Sequence, residues 1–556
     1  SLPFLMFLIC LSVPLLFSSA PLLQQFWGIS GRNTGFLTYV SLLIVAFTAS
    51  LVRSNQFEVR VINALLVTGA ILTIYGIIQI MNLDPIGWSQ FAVFGTLGNV
   101  NFFASFTALV IVASFSLLTQ ALISKSLFSN WLLLPFLILL IWINLKTDSM
   151  QGPVTAVIGC SVSLILVIWK RRFVSPSYFL TALLAFVLTV SVPAILGLLN
   201  KGPLAKILYQ ESNVFRKDYM LAGWRMALKE PLTGVGLDSY DNWYRTVRGL
   251  VAAFRTGPNR TSNSAHNVLL DLASGGGFPL LLSYLGIVLL TLFSALKVIR
   301  RNEKLNIHYI ALVSCFIAYH FQTLLSINQV GLGIWGWLFT GALLGQSRYL
   351  LSDSSHRESI DSRRFRGKVS QLPKQKVLPA STSILAIVGF GIGFVISYIP
   401  VSADASFRNA MNSRNLGNVV SAATKTGSNA FQLAKAVQIA TESGNTEVAS
   451  NLTRTLIQQY PRDIFGWDSV LRLPQFSESE SAQARLRMQE IDPNFFCFSP
   501  DPHATFKLKF GQLTQSEKGE LLGWWGMVPR AGATAQEIKN AEMSEEFNAK
   551  IAQNCG

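Results

Sequence analysis

From Pro3 to Ile399 the chain alternates between apolar runs of roughly 17 to 23 residues and short polar stretches. A helix rising about 1.5 Å per residue crosses a hydrocarbon core of about 30 Å in such a run. The runs lack the in-out alternation of a membrane barrel, so they predict helices. Eleven spans are expected, starting near Pro3, Leu37, Ile62, Phe102, Trp131, Val154, Tyr178, Phe278, Ile307, Val330 and Ser381. The first lacks the basic flank of a signal peptide and is followed by many more, so it reads as a span. Ser1 in place of Met suggests that the natural beginning is missing. The predicted fold is all-α: a polytopic helical membrane protein with a long extracytoplasmic loop and a C-terminal helical-hairpin domain.

Four regions follow. Residues 1–200 form an N-terminal half of about seven spans, 201–276 a loop, 277–399 a second half of about four spans, and 400–556 a polar domain. Within the last, Ala430 to Glu442, Thr446 to Gln459 and Ser479 to Glu490 carry helical periodicity. Tyr460-Pro461-Arg462-Asp463 and Asp492-Pro493-Asn494 close two units about 32 residues apart, near the roughly 34-residue period of a tetratricopeptide array. Such an array suggests protein docking. In the loop, Met220 to Leu228 reads as an amphipathic helix ended by Pro231, suited to the membrane interface.

Composition agrees with a membrane protein: 51% of the 556 residues are hydrophobic and 13% charged. The net charge of +16 invites a nucleic-acid reading, but its distribution argues against one. Lys and Arg gather in alternate loops, at Arg53 and Arg60, Lys125, Lys170 to Arg172, Lys297 to Lys304, and Arg348 to Lys376. All fall on one side under the eleven-span count, as cytoplasmic loops do. Arg32, Asn99, Gln151, the long loop and everything after Ile399 are then extracytoplasmic. Nucleotide donors are scarce there, and no Walker or Rossmann glycine motif occurs. An enzyme on that face needs a substrate carrying its own energy. Cys497 and Cys555 are candidates to pair, Cys10, Cys160 and Cys315 fall inside spans, and no metal-ligand spacing is present.

Five histidines occur, and His266 lies in the polar loop just before Gly275-Gly276-Gly277. If Asn263 or Ser264 caps a helix entering Val268 to Leu272, the dipole keeps the imidazole neutral and able to accept a proton. The alternative is a simple bond to a loop carbonyl. Arg216, Arg225, Arg245, Arg248, Arg255 and Arg260 precede it, suited to phosphate or to lipid headgroups.

The stretch Arg216, Trp224, Pro231-Leu-Thr-Gly234-Val-Gly236-Leu-Asp238-Ser-Tyr240, then Ala265-His266-Asn267 and Gly276-Gly277-Phe-Pro-Leu, resembles the signature of the O-antigen ligase superfamily. Gly31-Arg32-Asn33-Thr-Gly35, Gly95-Thr-Leu-Gly98-Asn99-Val-Asn101 and Ser326-Ile-Asn328-Gln329 extend the resemblance over roughly Pro3 to Ile399. It implies a metal- and cofactor-independent glycosyltransferase moving a glycan from undecaprenyl pyrophosphate to an acceptor hydroxyl on a glycolipid, glycan or protein, at the outer face of the bacterial cytoplasmic membrane. It implies His266 as general base and Arg216 as pyrophosphate ligand. Many members carry arginine in a Thr-x-Ser-Arg-Gly motif. This chain has Thr147-Asp148-Ser149-Met150-Gln151-Gly152, which makes Gln151 the candidate there and leaves a second cation to Arg32 or Arg225. Asn99 and Asn101 are further candidate ligands, and Asp238 and Asn267 candidate orienting residues. No close carboxylate pair of a retaining enzyme is evident, so transfer is expected to invert. A polysaccharide polymerase of the same superfamily is the nearest alternative. A lipid-linked glycan flippase is the alternative of another class. That would put charges deep in the spans, where His320 is the exception, lining a cavity or packing.

Overall fold

The computed structural model describes residues 2–54, 56–86, 93–126, 131–171, 211–256, 261–302, 305–361, 380–528 and 533–555. The expected span near Tyr178, with Arg172, Arg260, Lys304 and the basic residues from Arg363 to Lys374, lies outside them. Among the described residues the regular structure is helical, with no strand. The membrane body comprises α1 (Leu2–Phe17), the short α2 (Leu22–Trp27), α3 (Phe36–Leu51), α4 (Phe57–Ile80), α5 (Val100–Ile123), α6 (Leu133–Lys146) and α7 (Gln151–Arg171). The loop carries α8 (Glu211–Lys229), α9 (Tyr240–Val247) and α10 (Leu250–Thr256). The membrane body resumes with α11 (Val268–Arg301), α12 (Ile307–Thr323), α13 (Val330–Asp361) and α14 (Ala380–Ser413).

Each expected span among the described residues starts within a few residues of a helix, or of the kink within one. Among the described residues five helices are long and apolar enough to cross a membrane: Phe57–Ile80, Val100–Ile123, Gln151–Lys170, Val268–Arg301 and Ala386–Ser413. Leu2–Phe17, Phe36–Leu51 and Leu133–Lys146 are shorter apolar helices.

Packing in the body depends on small residues, as expected where lipid tails offer no hydrophobic contrast. α5 is buried on nearly every face, and Gly69 of α4 and Gly159 of α7 press on its Val110 and Val112. α13 lies on α3 through Gly341 and Gly345, whose added Cβ atoms would strike the backbone of Ala46 and Ala49. Outward faces are apolar and exposed, including Ile71, Leu289, Phe293 and Phe390. A band of that kind is stable only against lipid or a partner.

The basic segments converge at one end of the bundle. Gln346 donates to the Ser54 carbonyl at 2.6 Å, Asn306 to Glu58 at 3.3 Å, and Lys170 to the Asn302 carbonyl at 2.9 Å. Asn99, Gln151 and His266 begin helices whose other ends lie among those segments.

Among the described residues nine further α-helices make the C-terminal domain: α15 (Leu416–Ala423), α16 (Ala430–Glu442), α17 (Thr446–Gln459), α18 (Ile464–Arg472), α19 (Glu478–Ile491), α20 (Pro502–Gly511), α21 (Gln515–Trp524), α22 (Ala535–Glu542) and α23 (Glu545–Cys555). From α15 to α19 each helix packs on the next, as in a row of hairpins. Capping boxes start α16 and α19, at Asn429 with Gln432 and at Ser477 with Glu480. The expected boundary at residues 399 and 400 falls inside one continuous helix, α14, whose Phe407 and Ala410 belong to the core of the C-terminal domain. Cys497 is disulfide-bonded, while Cys10, Cys160 and Cys315 are free.

Candidate active site

The two glycine motifs of the loop are packing partners. Val235 N donates to the Ser274 carbonyl at 2.8 Å, Gly236 N to the Gly275 carbonyl at 3.1 Å, and Phe278 N to the Pro231 carbonyl at 2.8 Å. Gly234 has φ +65, and a Cβ on it would lie 2.4 Å from the Gly275 backbone. Gly277, with φ +71 and ψ 179, breaks α11 into a short outer helix from Val268 and a membrane helix from Phe278. That break turns the outer helix so that its N-terminus, preceded by His266, meets α8.

His266 is half-buried and held in the left-handed region, at φ +54. Its ring stacks on that of Tyr219 of α8, with centroids 5.4 Å apart and planes 24° from parallel. Arg216 lies three residues before Tyr219, so both project from neighbouring faces of the helix. Burial first, then the positive charges of Arg216 and Arg32, push the imidazole down to about 4. It is therefore neutral at physiological pH, as expected, although for a different reason. The helix cap is neither Asn263 nor Ser264 but Asn267, whose side chain accepts from Leu270 N at 3.1 Å. His266 thus lies outside the first turn. Asn267 also donates to the Leu324 carbonyl at 3.0 Å, tying this segment to the turn between α12 and α13.

Beneath the histidine is a buried ion triad. Arg32 donates to Asp271 at 2.8 Å and lies 3.4 Å from Asp238. It also donates to the Asn263 carbonyl. Asp238 accepts from Ile29 N at 2.9 Å, Thr34 N at 3.1 Å and the Thr34 hydroxyl at 3.0 Å. The motif from Gly31 to Gly35 is therefore a cradle for Asp238, and Arg32 is committed to two carboxylates rather than free for a ligand. Asp238 orients this frame and does not touch the imidazole. Asp241, nearby, is pushed up to about 7, chiefly by burial and then by the charge of Asp238.

The other arginines have separate work. Arg225 donates to the Val247 carbonyl at 2.9 Å. Nine residues are two and a half helical turns, so Arg225 and Arg216 occupy opposite faces of α8 and do not grip one group together. Arg248 and Asp492 form a fully buried ion pair, which Arg245 joins at 3.6 Å. Arg255 bridges Asp218 of α8 and Glu520 of α21. Arg462 donates to the Asn242 carbonyl at 2.9 Å and stacks over Trp243, 3.8 Å from its centroid. Leu250 and Phe254 enter a core with Phe496, Phe506 and Phe510. The C-terminal domain is thus bolted onto the loop. Arg216 is partly buried, its basicity lowered by desolvation, and it forms no ion pair among the described residues.

Gln151 starts a row of amides that joins the starts of α5 and α7 to the end of α12. Its Nε2 donates to Gln322 Oε1 at 3.1 Å, and its backbone N–H to the Ser149 hydroxyl at 3.3 Å. The Ser149 hydroxyl donates to Asn101 at 2.7 Å, and Asn99 caps α5 through Asn101 N at 2.8 Å. Gln151 Oε1 is buried without a hydrogen-bond partner among the described residues. His320 lies within the bundle, its Nδ1 3.3 Å from the Tyr284 hydroxyl and its Nε2 buried without a hydrogen-bond partner among the described residues.

Tyr219 and Asp271 belong to this constellation without having been singled out in the sequence, and Ser264, expected as a helix cap, instead bonds Asp271. Two signals were present: Tyr219 is one helical turn beyond Arg216, and Asp271 is a lone acid in the apolar run from Val268 to Leu272.

A family model of O-antigen ligases matches residues 134–285. The matched stretch includes Gln151, Arg216, Arg225, Asp238, His266, Asn267 and Asp271, while Arg32, Asn99, Asn101 and the C-terminal domain lie outside it. No curated protein matches the chain. The part of the chain that is similar to O-antigen ligases, residues 134–285, is thus the part that carries His266, Arg216 and the interlocked glycine turns.

Proposed function

We propose that the protein transfers a glycan from a polyprenyl pyrophosphate to an acceptor hydroxyl at the outer face of the bacterial cytoplasmic membrane, as a ligase of the O-antigen type. The observation that carries the reading is the neutral His266 held between Tyr219 and the Arg216 guanidinium. The pyrophosphate binds Arg216. The acceptor hydroxyl attacks the anomeric carbon and loses its proton to His266. The bond from that carbon to the phosphate oxygen breaks, and pyrophosphate leaves with the electron pair. One displacement inverts the anomeric centre. Among the described residues neither imidazole nitrogen has a hydrogen-bond partner, which suits a base waiting for a hydroxyl.

The amide row serves the sugar rather than the phosphates. Gln151 offers a carbonyl oxygen as its free group, which accepts from a hydroxyl and repels an anion. Asn99 and Asn101 continue the same uncharged surface. Arg216 is then the principal cation at the donor phosphates, with Arg32 acting beneath the histidine.

His266→Ala and Arg216→Ala protein, correctly inserted, should lose transfer from a synthetic polyprenyl-pyrophosphate donor. Transfer at the original rate by either variant would refute the assignment. Growth of a lipid-linked polymer in place of transfer to a second acceptor would identify a polymerase, and movement of donor across the bilayer without bond formation a flippase.

A further inference from the structure

We infer that Asp271 is the positioning residue of His266: clamped by Arg32, its carboxylate holds the segment Ser264–His266 in the one backbone arrangement that presents the imidazole to Tyr219 and Arg216. This rests on the reading of His266 as the base.

Both carboxylate oxygens are occupied. Oδ1 accepts from Ala265 N at 2.8 Å, and Oδ2 accepts from the Ser264 hydroxyl at 2.8 Å and from Arg32 at 2.8 Å. The Ser264 hydroxyl in turn accepts from His266 N at 2.9 Å. Two hydrogen bonds therefore lead from the Asp271 carboxylate to the main chain of the histidine. The link matters because His266 sits at φ +54, a region that residues with a Cβ rarely occupy unless their surroundings hold them there. Ala265, fully buried, is wedged against α8, where a Cβ on Gly223 would lie 2.9 Å from its own.

Asp271 is well placed to hold a charge. It lies in the first turn of α11, just after the Asn267 cap, where the helix dipole favours an anion. Its side chain is 6% exposed, as is that of Arg32, so the clamp is shielded from solvent and salt. Asp271 makes no contact with the imidazole, and it acts only through the backbone that it fixes.

The test is steady-state transfer by full-length Asp271→Asn and Ser264→Ala protein, compared with wild type and with His266→Ala. Asp271→Asn keeps the volume and an acceptor for Ala265 N but presents amide hydrogens to Arg32. We expect kcat to fall roughly a hundredfold, the scale of a small misplacement of a reacting group. Donor KM should stay within about twofold, because Arg216 is untouched. Ser264→Ala should show a smaller fall in the same parameter, and it decides the matter if the asparagine variant does not insert. Wild-type kcat in the inserted variants alongside inactive His266→Ala would overturn the positioning role. A rise in donor KM matching the fall in kcat would overturn it too. An active His266→Ala enzyme would instead remove the base itself.

Discussion

The imidazole of His266 lies nearly parallel to the ring of Tyr219, at 5.4 Å between centroids. Tyr219 belongs to the helix that carries Arg216, whereas His266 precedes the helix that descends into the membrane. The stack therefore ties the imidazole to the helix that carries the Arg216 guanidinium, across two separate elements. An aromatic pair of this kind contributes about 0.5–1.5 kcal/mol beyond its area. Tyr219→Leu should lower kcat/KM roughly two- to twelvefold, and Tyr219→Phe should retain most of it. Equal rates for all three proteins would mean that the stack does not set the geometry.

The pH dependence follows from the depressed basicity of His266. A group whose folded value lies below its ordinary one is neutral above that value and takes a proton only as pH falls through it. The acid limb of kcat/KM, which reports the free enzyme, should lie near pH 4, with no loss between neutrality and about pH 5. A bound pyrophosphate offsets the charge of Arg216, so the limb of kcat should lie higher. Arg216→Gln should raise the free-enzyme limb, because a positive neighbour has gone. A wild-type kcat/KM limb at the ordinary histidine value would contradict the burial of the ring.

Asp492 lies between two loop arginines, Arg245 and Arg248. Asp492→Ala removes one partner of a buried ion pair, a loss of about 3–5 kcal/mol where such a pair is broken from one side. Thermal unfolding of purified protein should reveal it, with α9 and α10 freed from the C-terminal domain. Deleting the domain after Ser413 should accordingly impair donor cleavage along with acceptor use. Loss of acceptor use alone would restore the simpler picture of a docking module.

Gly277→Ala should be destabilising on two counts. Its φ of +71 is costly for a residue with Cβ, by about 1–2 kcal/mol, and the added carbon would lie 2.7 Å from the Leu232 carbonyl carbon. Transfer should fall with stability, since the kink aims the helix that bears the histidine. Unchanged activity and unfolding temperature would show that the kink is dispensable.

The span pattern and the hairpins of the C-terminal domain were legible because each depends on local periodicity. Ala430–Glu442 and Thr446–Gln459 begin and end as expected, with Asn429 and Asn445 as caps. The nearness of Arg216 to His266 was legible through their motif. The helix cap was misplaced because Ser264 spends its hydroxyl on Asp271 and Asn263 gives its carbonyl to Arg32, contacts that no local rule contains. The fates of Arg245, Arg248 and Arg255 were hidden for the same reason, their partners Asp492 and Glu520 lying at the far end of the chain. The separation of Arg225 from Arg216 was open to reading, since spacing alone puts them on opposite faces.

The triad of Asp238, Arg32 and Asp271 also has a history within each molecule. Arg32 leaves the ribosome long before either carboxylate. Only after Asp271 has been made and the following helix inserted do both partners stand beside it. Synthesis of the second half is thus what completes the first, and a nascent chain halted before Asp271 carries Arg32 without the full clamp that holds Ser264 to His266.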